Sequence, residues 1–281
     1  MKIGVIGLGL IGGSMAKAIK HYTNHTVFGM DTAERVVLKA KMVKVIDGEI
    51  LPEQLGTCQL ILVALYPHDT VDFIRTHAKQ LRGTTVVDCS GVKKLVQDAA
   101  FPIACEHGFT FIGGHPMAGI EYSGFEYSKI DLFDGAAMIL TPDPRTDIVV
   151  LDNVKQFFLS LGFELIRIST PEEHDSVIAY TSQLAHVLSS AYVKSELAMK
   201  HQGFSAGSFK DMTRVALLND IMWTELFLAN STNLANEVEE LAERLMQYAV
   251  AIRTHDAATL TSLLREGSQR KQYLMEREGV K

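Results

Sequence analysis

The chain has 281 residues, 47% of them hydrophobic and 21% charged, with a formal net charge of -6. That length calls for two domains rather than one large one, and the composition is that of a soluble globular protein. The acidic balance excludes a nucleic-acid partner or an anionic membrane surface, because no basic surplus is available to neutralise phosphates.

Three cysteines, Cys58, Cys89 and Cys105, are odd in number and sit in apolar or strand-like surroundings. They lack metal-ligand spacing, so reduced thiols in a cytoplasmic protein and no metal site are expected. No apolar run is long enough to span a bilayer. Met1 to Ile6 reads as a strand that begins at once rather than as a signal peptide.

Lys2 to Ile6 is a short apolar run ending in Gly7-Leu8-Gly9-Leu10-Ile11-Gly12-Gly13-Ser14, and a helical stretch follows from about Leu10 to Lys20. Glycines spaced G-x-G-x-x-G between a strand and a helix are a dinucleotide-binding pattern. Gly7 allows the tight turn, Gly9 carries no Cβ to block a pyrophosphate, and Gly12 lets helix and strand pack closely. The phosphates then sit on the N–H groups that open the helix at Leu10 and Ile11. The next strand, Thr26 to Met30, ends at Asp31. A carboxylate there can bind the ribose 2′-OH and would repel a 2′-phosphate, which selects NAD over NADP. Asp31 can equally cap a helix beginning near Thr32.

Strands and helices keep alternating. Gln59 to Leu65 is a buried strand, and Leu65 at its end is expected to form an apolar wall beside the cofactor. Pro67 or His68 opens a helix running to about Gln80, and Thr84 to Asp88 is the next strand. Phe109 to Ile112 is a further strand and delivers a loop, Gly113-Gly114-His115-Pro116-Met117-Ala118-Gly119. Ala136 to Thr141, Asp147 to Leu161 and Phe163 to Ile168 complete a strand, a helix and a last strand. Alternation of this kind implies a doubly wound, mostly parallel sheet.

After Ser169-Thr170-Pro171 no strand pattern survives. Thr170 or Ser169 can cap a helix whose first turn holds Pro171, Glu172 and Glu173. Val177, Ile178, Leu184, Val187, Leu188 and Tyr192 cover more than one face, so this helix is expected to be buried on several sides. Leu234, Val238, Leu241, Leu245, Tyr248 and Ile252 form an a/d seam, which favours a homodimer over packing within the chain alone. The expected organisation is therefore α/β: a Rossmann-type dinucleotide-binding domain over 1–169, then an all-α substrate and dimerisation domain over 170–281.

Three polar features stand out. His115, between glycines and a proline, is either an incidental turn residue or a proton acceptor facing a cofactor. His186 lies in an otherwise apolar helix, where a satisfied core histidine is the plainer account. Arg214 follows Asp211 at a spacing that commonly makes a surface pair, and Trp223, taken alone, is core. Converging on a cleft, they would make a cationic pocket for a small carboxylate.

Together with Gly7 to Ser14 and Asp31, the segments Gly114-His115-Pro116-Met117-Ala118-Gly119 with Glu121, His174-Asp175, Ser182-Gln183-Leu184-Ala185-His186, and Phe209-Lys210-Asp211-Met212-Thr213-Arg214 with Trp223 resemble the prephenate dehydrogenase family of tyrosine biosynthesis. The match runs in the family's order over nearly the whole chain. The resemblance implies oxidative decarboxylation of prephenate to 4-hydroxyphenylpyruvate with NAD, in a homodimer joined through its helical domain. It implies His115 as acceptor of the substrate hydroxyl proton, Arg214 on a substrate carboxylate, His186 and Trp223 lining the pocket, and Glu121 gating or polarising it. Two positions depart from the family. Where a serine is usual in Asp-x-Gly-Ser-x-Lys, this chain reads Asp88-Cys89-Ser90-Gly91-Val92-Lys93, leaving Ser90, one residue early, as the candidate at the cofactor. Gln183 stands where many members have a second histidine. Arogenate dehydrogenase is the nearest alternative, followed by a 3-hydroxyacid dehydrogenase or imine reductase of the same two-domain plan.

Overall fold

The protein is described here by a computed structural model covering residues 1–278. Its strands are β1 (Lys2–Ile6), β2 (Thr26–Met30), β3 (Gly48–Glu49), β4 (Leu60–Val63), β5 (Thr85–Asp88), β6 (Thr110–Pro116), β7 (Ala137–Pro142) and β8 (Leu165–Ile168). They form one sheet in the order β3-β2-β1-β4-β5-β6-β7-β8. Every pairing is parallel except that of β6 with β7. The sheet helices are α1 (Leu10–Tyr22), α2 (Glu34–Met42), α3 (Pro67–His77), α4 (Lys94–His107) and α5 (Ile148–Leu159).

Successive residues of a strand point to opposite faces, and the core follows that period. Leu60 and Leu62 of β4 join one apolar cluster with Met15 and Ile19 of α1, Val37 of α2 and Phe157 and Phe158 of α5. Ile61 and Val63 join the other, with Phe73 and Ile74 of α3 and Val96 and Ala100 of α4. Helices thus cover both faces, which is why β1 and β4 read as continuous apolar runs.

The element around His115 differs from the sequence expectation. Strand β6 does not stop at Ile112 but continues through Pro116, because antiparallel β7 pairs His115 with Ile139 and Pro116 with Met138. Gly113 and Gly114 are therefore strand residues, not a turn. A Cβ on Gly114 would lie 2.5 Å from the Asp88 carbonyl oxygen and 2.6 Å from Met138 Cε. The missing side chain lets β6 press against β5.

The change from sheet to helices falls between β8 and α6 (Pro171–Ile178), with the Thr170 hydroxyl accepting from the Glu173 N–H at 3.1 Å as the cap. One π-helical turn, Ala179–Gln183, joins α6 to α7 (Leu184–Tyr192). Then follow α8 (Gly207–Thr213), α9 (Asp220–Ala229), α10 (Ser231–Arg253) and α11 (Ala257–Glu278). The α6–α7 helix is not enclosed as its apolar residues led us to expect. Val177 is 51% and Tyr192 45% exposed.

The chain divides into two compact units, Met1–Ser231 and Thr232 onward. In the second, the Tyr248 hydroxyl donates to the Leu263 carbonyl at 3.2 Å, tying α10 to α11. Leu245 and Ile252 of the expected seam stay more than half exposed. Among the described residues no helix is long and apolar enough to cross a membrane.

Candidate active site

Strands β1, β2, β4, β5 and β6 run parallel, so their carboxyl ends share one sheet edge. The strand order reverses between β1 and β4, and ligands of doubly wound sheets bind at such a point. Gly7, at the end of β1, adopts φ +82, and its N–H donates to the Met30 carbonyl at 2.8 Å. A Cβ on Gly12 would sit 1.8 Å from the Gly7 oxygen, whereas one on Gly9 would meet nothing within 4 Å. The loop is thus closed against the sheet and open outward at Gly9. Gly9 caps α1 without a side chain, leaving the first N–H groups of the helix, at Leu10 and Ile11, for an anion.

Asp31 sits beside this loop. Its Oδ2 accepts from the Leu8 N–H at 2.8 Å and its Oδ1 from the Ala33 N–H at 2.9 Å. Ala33, not Asp31, is the cap residue of α2. Each carboxylate oxygen keeps a lone pair for a ribose hydroxyl. Leu65, following β4, packs its side chain over Gly7. These donors and this cradle fit a dinucleotide.

Beneath His115 lies a charge pair. Asp88, the last residue of β5, and Lys93 are both fully buried and joined by a short Nζ–Oδ2 contact. Asp88 Oδ1 accepts from the Gly114 N–H at 3.0 Å, and Lys93 Nζ donates to the Gly114 carbonyl at 2.5 Å. Ser90 is turned inward: its hydroxyl donates to Asp88 Oδ2 at 2.6 Å. The pair therefore locks the end of β5, the following loop and β6 together. A buried ion pair persists only when its remaining groups are hydrogen-bonded in this way.

On β6, His115 Nδ1 lies 2.9 Å from His174 Nε2, and His174 Nδ1 lies 2.7 Å from Asp175 Oδ1. Asp175 also accepts from the backbone N–H groups of Lys93 and Lys94 at 2.8 and 2.9 Å, so α6 docks on the start of α4. Burial, then the neighbouring His174 and Lys93, hold His115 well below the ordinary histidine pKa. Burial also lowers His174, against the pull of Asp175. Both rings are uncharged near neutrality, and an uncharged His115 can accept a proton. The sequence contains His174-Asp175 as an adjacent pair. Nothing local placed that pair beside a histidine 59 residues away.

The other polar residues come from the helices of the same unit. The His186 ring packs on Trp223 at 3.9 Å between centroids, with Nδ1 3.2 Å from the Val215 carbonyl oxygen, and burial lowers its pKa. Arg214 closes α8 and pairs with Glu121 at 3.5 Å. That partner comes from the segment after β6, not from Asp211 on its own helix. Helix α9, which carries Trp223, is tied to the sheet edge at two points. Glu225 Oε1 accepts from the His68 N–H at 2.7 Å, at the start of α3. Leu226 stands over Gly91, where an added Cβ would lie 3.2 Å from Leu226 Cδ2 and 3.9 Å from His115 Nε2. His115 thus presents Nε2 toward a backbone without a side chain, under α9. Sequence reasoning singled out neither Glu225 nor Leu226, which lie on a mostly apolar helix.

Comparison with known proteins agrees with this geometry. The family model "Prephenate dehydrogenase, nucleotide-binding domain" matches residues 15–167, and "Prephenate dehydrogenase, dimerization domain" matches 170–266. The chain is 28% identical to a prephenate dehydrogenase of Bacillus subtilis, over 90% of this chain and 71% of that protein. It is similar to the crystal structure of prephenate dehydrogenase from A. aeolicus in complex with hydroxyphenyl propionate and NAD+, with TM-score 0.82, 29% identity and 98% of each chain covered. It is also similar to Synechocystis arogenate dehydrogenase, with TM-score 0.82, 26% identity, 97% of this chain and 100% of that chain covered.

Proposed function

This chain belongs to the prephenate dehydrogenase family, and we propose that it carries out the NAD-dependent oxidative decarboxylation of prephenate to 4-hydroxyphenylpyruvate. One observation carries this reading. An uncharged histidine, His115, stands at the same sheet edge as the helix N-terminus that suits a pyrophosphate. Gly7, Gly9 and Gly12, with the N–H groups of Leu10 and Ile11, hold the phosphates. Asp31 takes the ribose and disfavours a 2′-phosphate, and Leu65 supplies an apolar wall. Ser90 serves this edge by holding Asp88 and Lys93 in place.

When bound, NAD supplies the acceptor for the hydride that leaves C4 of the cyclohexadiene ring. His115 takes the C4 hydroxyl proton as the O–H electrons close the carbonyl. Carbon dioxide leaves C1, its bonding electrons enter the ring, and the ring becomes aromatic. His115 then returns the proton to the same oxygen, so no net proton is released. Arg214 binds a substrate carboxylate in bidentate fashion. Its exposed contact with Glu121 is of a kind worth little, so the carboxylate displaces Glu121, which acts as a gate. His186 and Trp223 line the pocket, and orientation of C4 supplies much of the catalysis. The protein acts as a homodimer through its helices, a reading supported by the exposed apolar face of α6–α7 and the dimerization-domain match.

The direct test mixes purified protein with NAD and either prephenate or arogenate and follows NADH absorbance. Turnover of prephenate is expected. Preference for arogenate would reassign the substrate, and no turnover with either would refute the function. In His115→Asn, NAD binding measured by calorimetry persists while kcat falls about 100- to 10,000-fold, the range of a positioned general base. A fully active variant would remove His115 from the mechanism.

A further inference from the structure

The direction in which His115 accepts its proton is set by groups the reaction does not touch. Asp175 Oδ1 receives the Lys93 N–H, and Oδ2 receives the Lys94 N–H. A carboxylate so placed offers only acceptors. The remaining contact, His174 Nδ1 at 2.7 Å, therefore carries a hydrogen and donates it to Asp175. An uncharged imidazole holds one N–H, so His174 Nε2 is a bare lone pair. His115 Nδ1, 2.9 Å away, must then be the donor to it.

We propose that His174, anchored by Asp175, is a positioning residue that locks His115 as the Nδ1–H tautomer, with an unprotonated Nε2 facing the Gly91 side of the site. This role rests on the proposed function of His115 as proton acceptor. On the Nε2 side stands Gly91, where an added Cβ would lie 3.9 Å from Nε2, and glycine has no side chain there to orient the ring. The hydrogen bond that steers the ring is made at Nδ1.

The chain of groups also handles charge. When the substrate O–H bond breaks, a bond forms between that proton and Nε2, and His115 becomes a cation. Its Nδ1–H stays on His174, whose own N–H stays on Asp175, so the carboxylate faces the new charge through one ring. No proton leaves the relay, and returning the Nε2 proton resets it. Protonation of His174 reverses the arrangement. Nε2–H of His174 would then donate to His115 Nδ1, forcing the hydrogen of His115 onto Nε2 and abolishing the acceptor. The charged groups facing His174 are Asp175 on α6, Asp88 on β5 and Lys93 before α4, with His115 across the hydrogen bond. The two carboxylates favour the cationic ring, while burial and Lys93 oppose it.

The test reads the tautomer without substrate, so its outcome is independent of whether prephenate is turned over. In ¹⁵N-histidine-labelled protein, His115, assigned by loss of its signals in His115→Asn, is expected to show a protonated Nδ1 and a bare Nε2. In His174→Leu the signals shift toward Nε2–H. Activity gives the second readout. His174→Leu is expected to lower kcat about 100-fold or more, with NAD Kd and substrate KM within about twofold of wild type. His174→Gln, whose amide oxygen can still accept from Nδ1–H, is expected to recover about tenfold of that loss. An Nε2–H tautomer in the wild type would overturn the proposal. So would unchanged kcat in a His174→Leu variant that binds NAD normally. Should that variant fail to fold, the wild-type tautomer and His174→Gln decide the matter.

Discussion

Replacing Lys93 by Met removes, among the described residues, the one cation paired with Asp88, at a position where both side chains are fully buried. Methionine fills a similar volume, so the change isolates charge rather than packing. Asp88 would keep the Ser90 hydroxyl and the N–H groups of Ser90 and Gly114 as donors. It would lose its countercharge, and the Gly114 carbonyl would lose the ammonium that donates to it. Breaking a buried pair in this way costs about 3–5 kcal/mol, far beyond the loss of an exposed pair. The assay is urea denaturation followed by fluorescence of Trp223, the single tryptophan, which lies in the Met1–Ser231 unit. The Asp88→Asn, Lys93→Met double variant should be more stable than Lys93→Met alone, because no charge is left unpaired. A Lys93→Met variant within about 1 kcal/mol of wild type would refute the reasoning, since such a small loss marks a solvated charge.

Arg214→Ala is expected to raise the KM for prephenate about tenfold or more while kcat changes less, read from initial rates. An unchanged KM would move the carboxylate site elsewhere. The pH dependence of kcat/KM should show an acid limb that rises with pH as His115 loses its proton. Because burial, His174 and Lys93 hold His115 well below 6.5, that limb lies on the acid side of 6.5 and the rate is level through neutrality. A limb centred on the alkaline side of neutral would contradict a depressed acceptor. Light scattering of the purified protein should give the mass of a dimer, and a monomer at assay concentrations would leave the exposed α6–α7 face unexplained.

The features legible in the chain alone are local. A strand, three spaced glycines and a helix follow one another within Lys2 to Lys20, and hydrophobic period separates the sheet from the helices after Thr170. Asp31 and His115 could be picked out because each is a polar residue in a recognisable place, the end of a strand or a glycine-rich segment. Other features were decided by contacts between distant segments. Gly113 and Gly114 look like a turn but belong to β6, since only the pairing with β7 and the approach of Asp88 show what their missing side chains are for. His174 and Asp175 acquire meaning only when α6 docks on α4 and brings the ring to His115. Likewise, Glu225 is an ordinary helix carboxylate until its helix meets the start of α3. Periodicity and turn chemistry act over a few residues and can be read from the chain. The identity of the hydrogen-bond partners of a buried polar group depends on which segments the fold brings together, and only the tertiary structure records that.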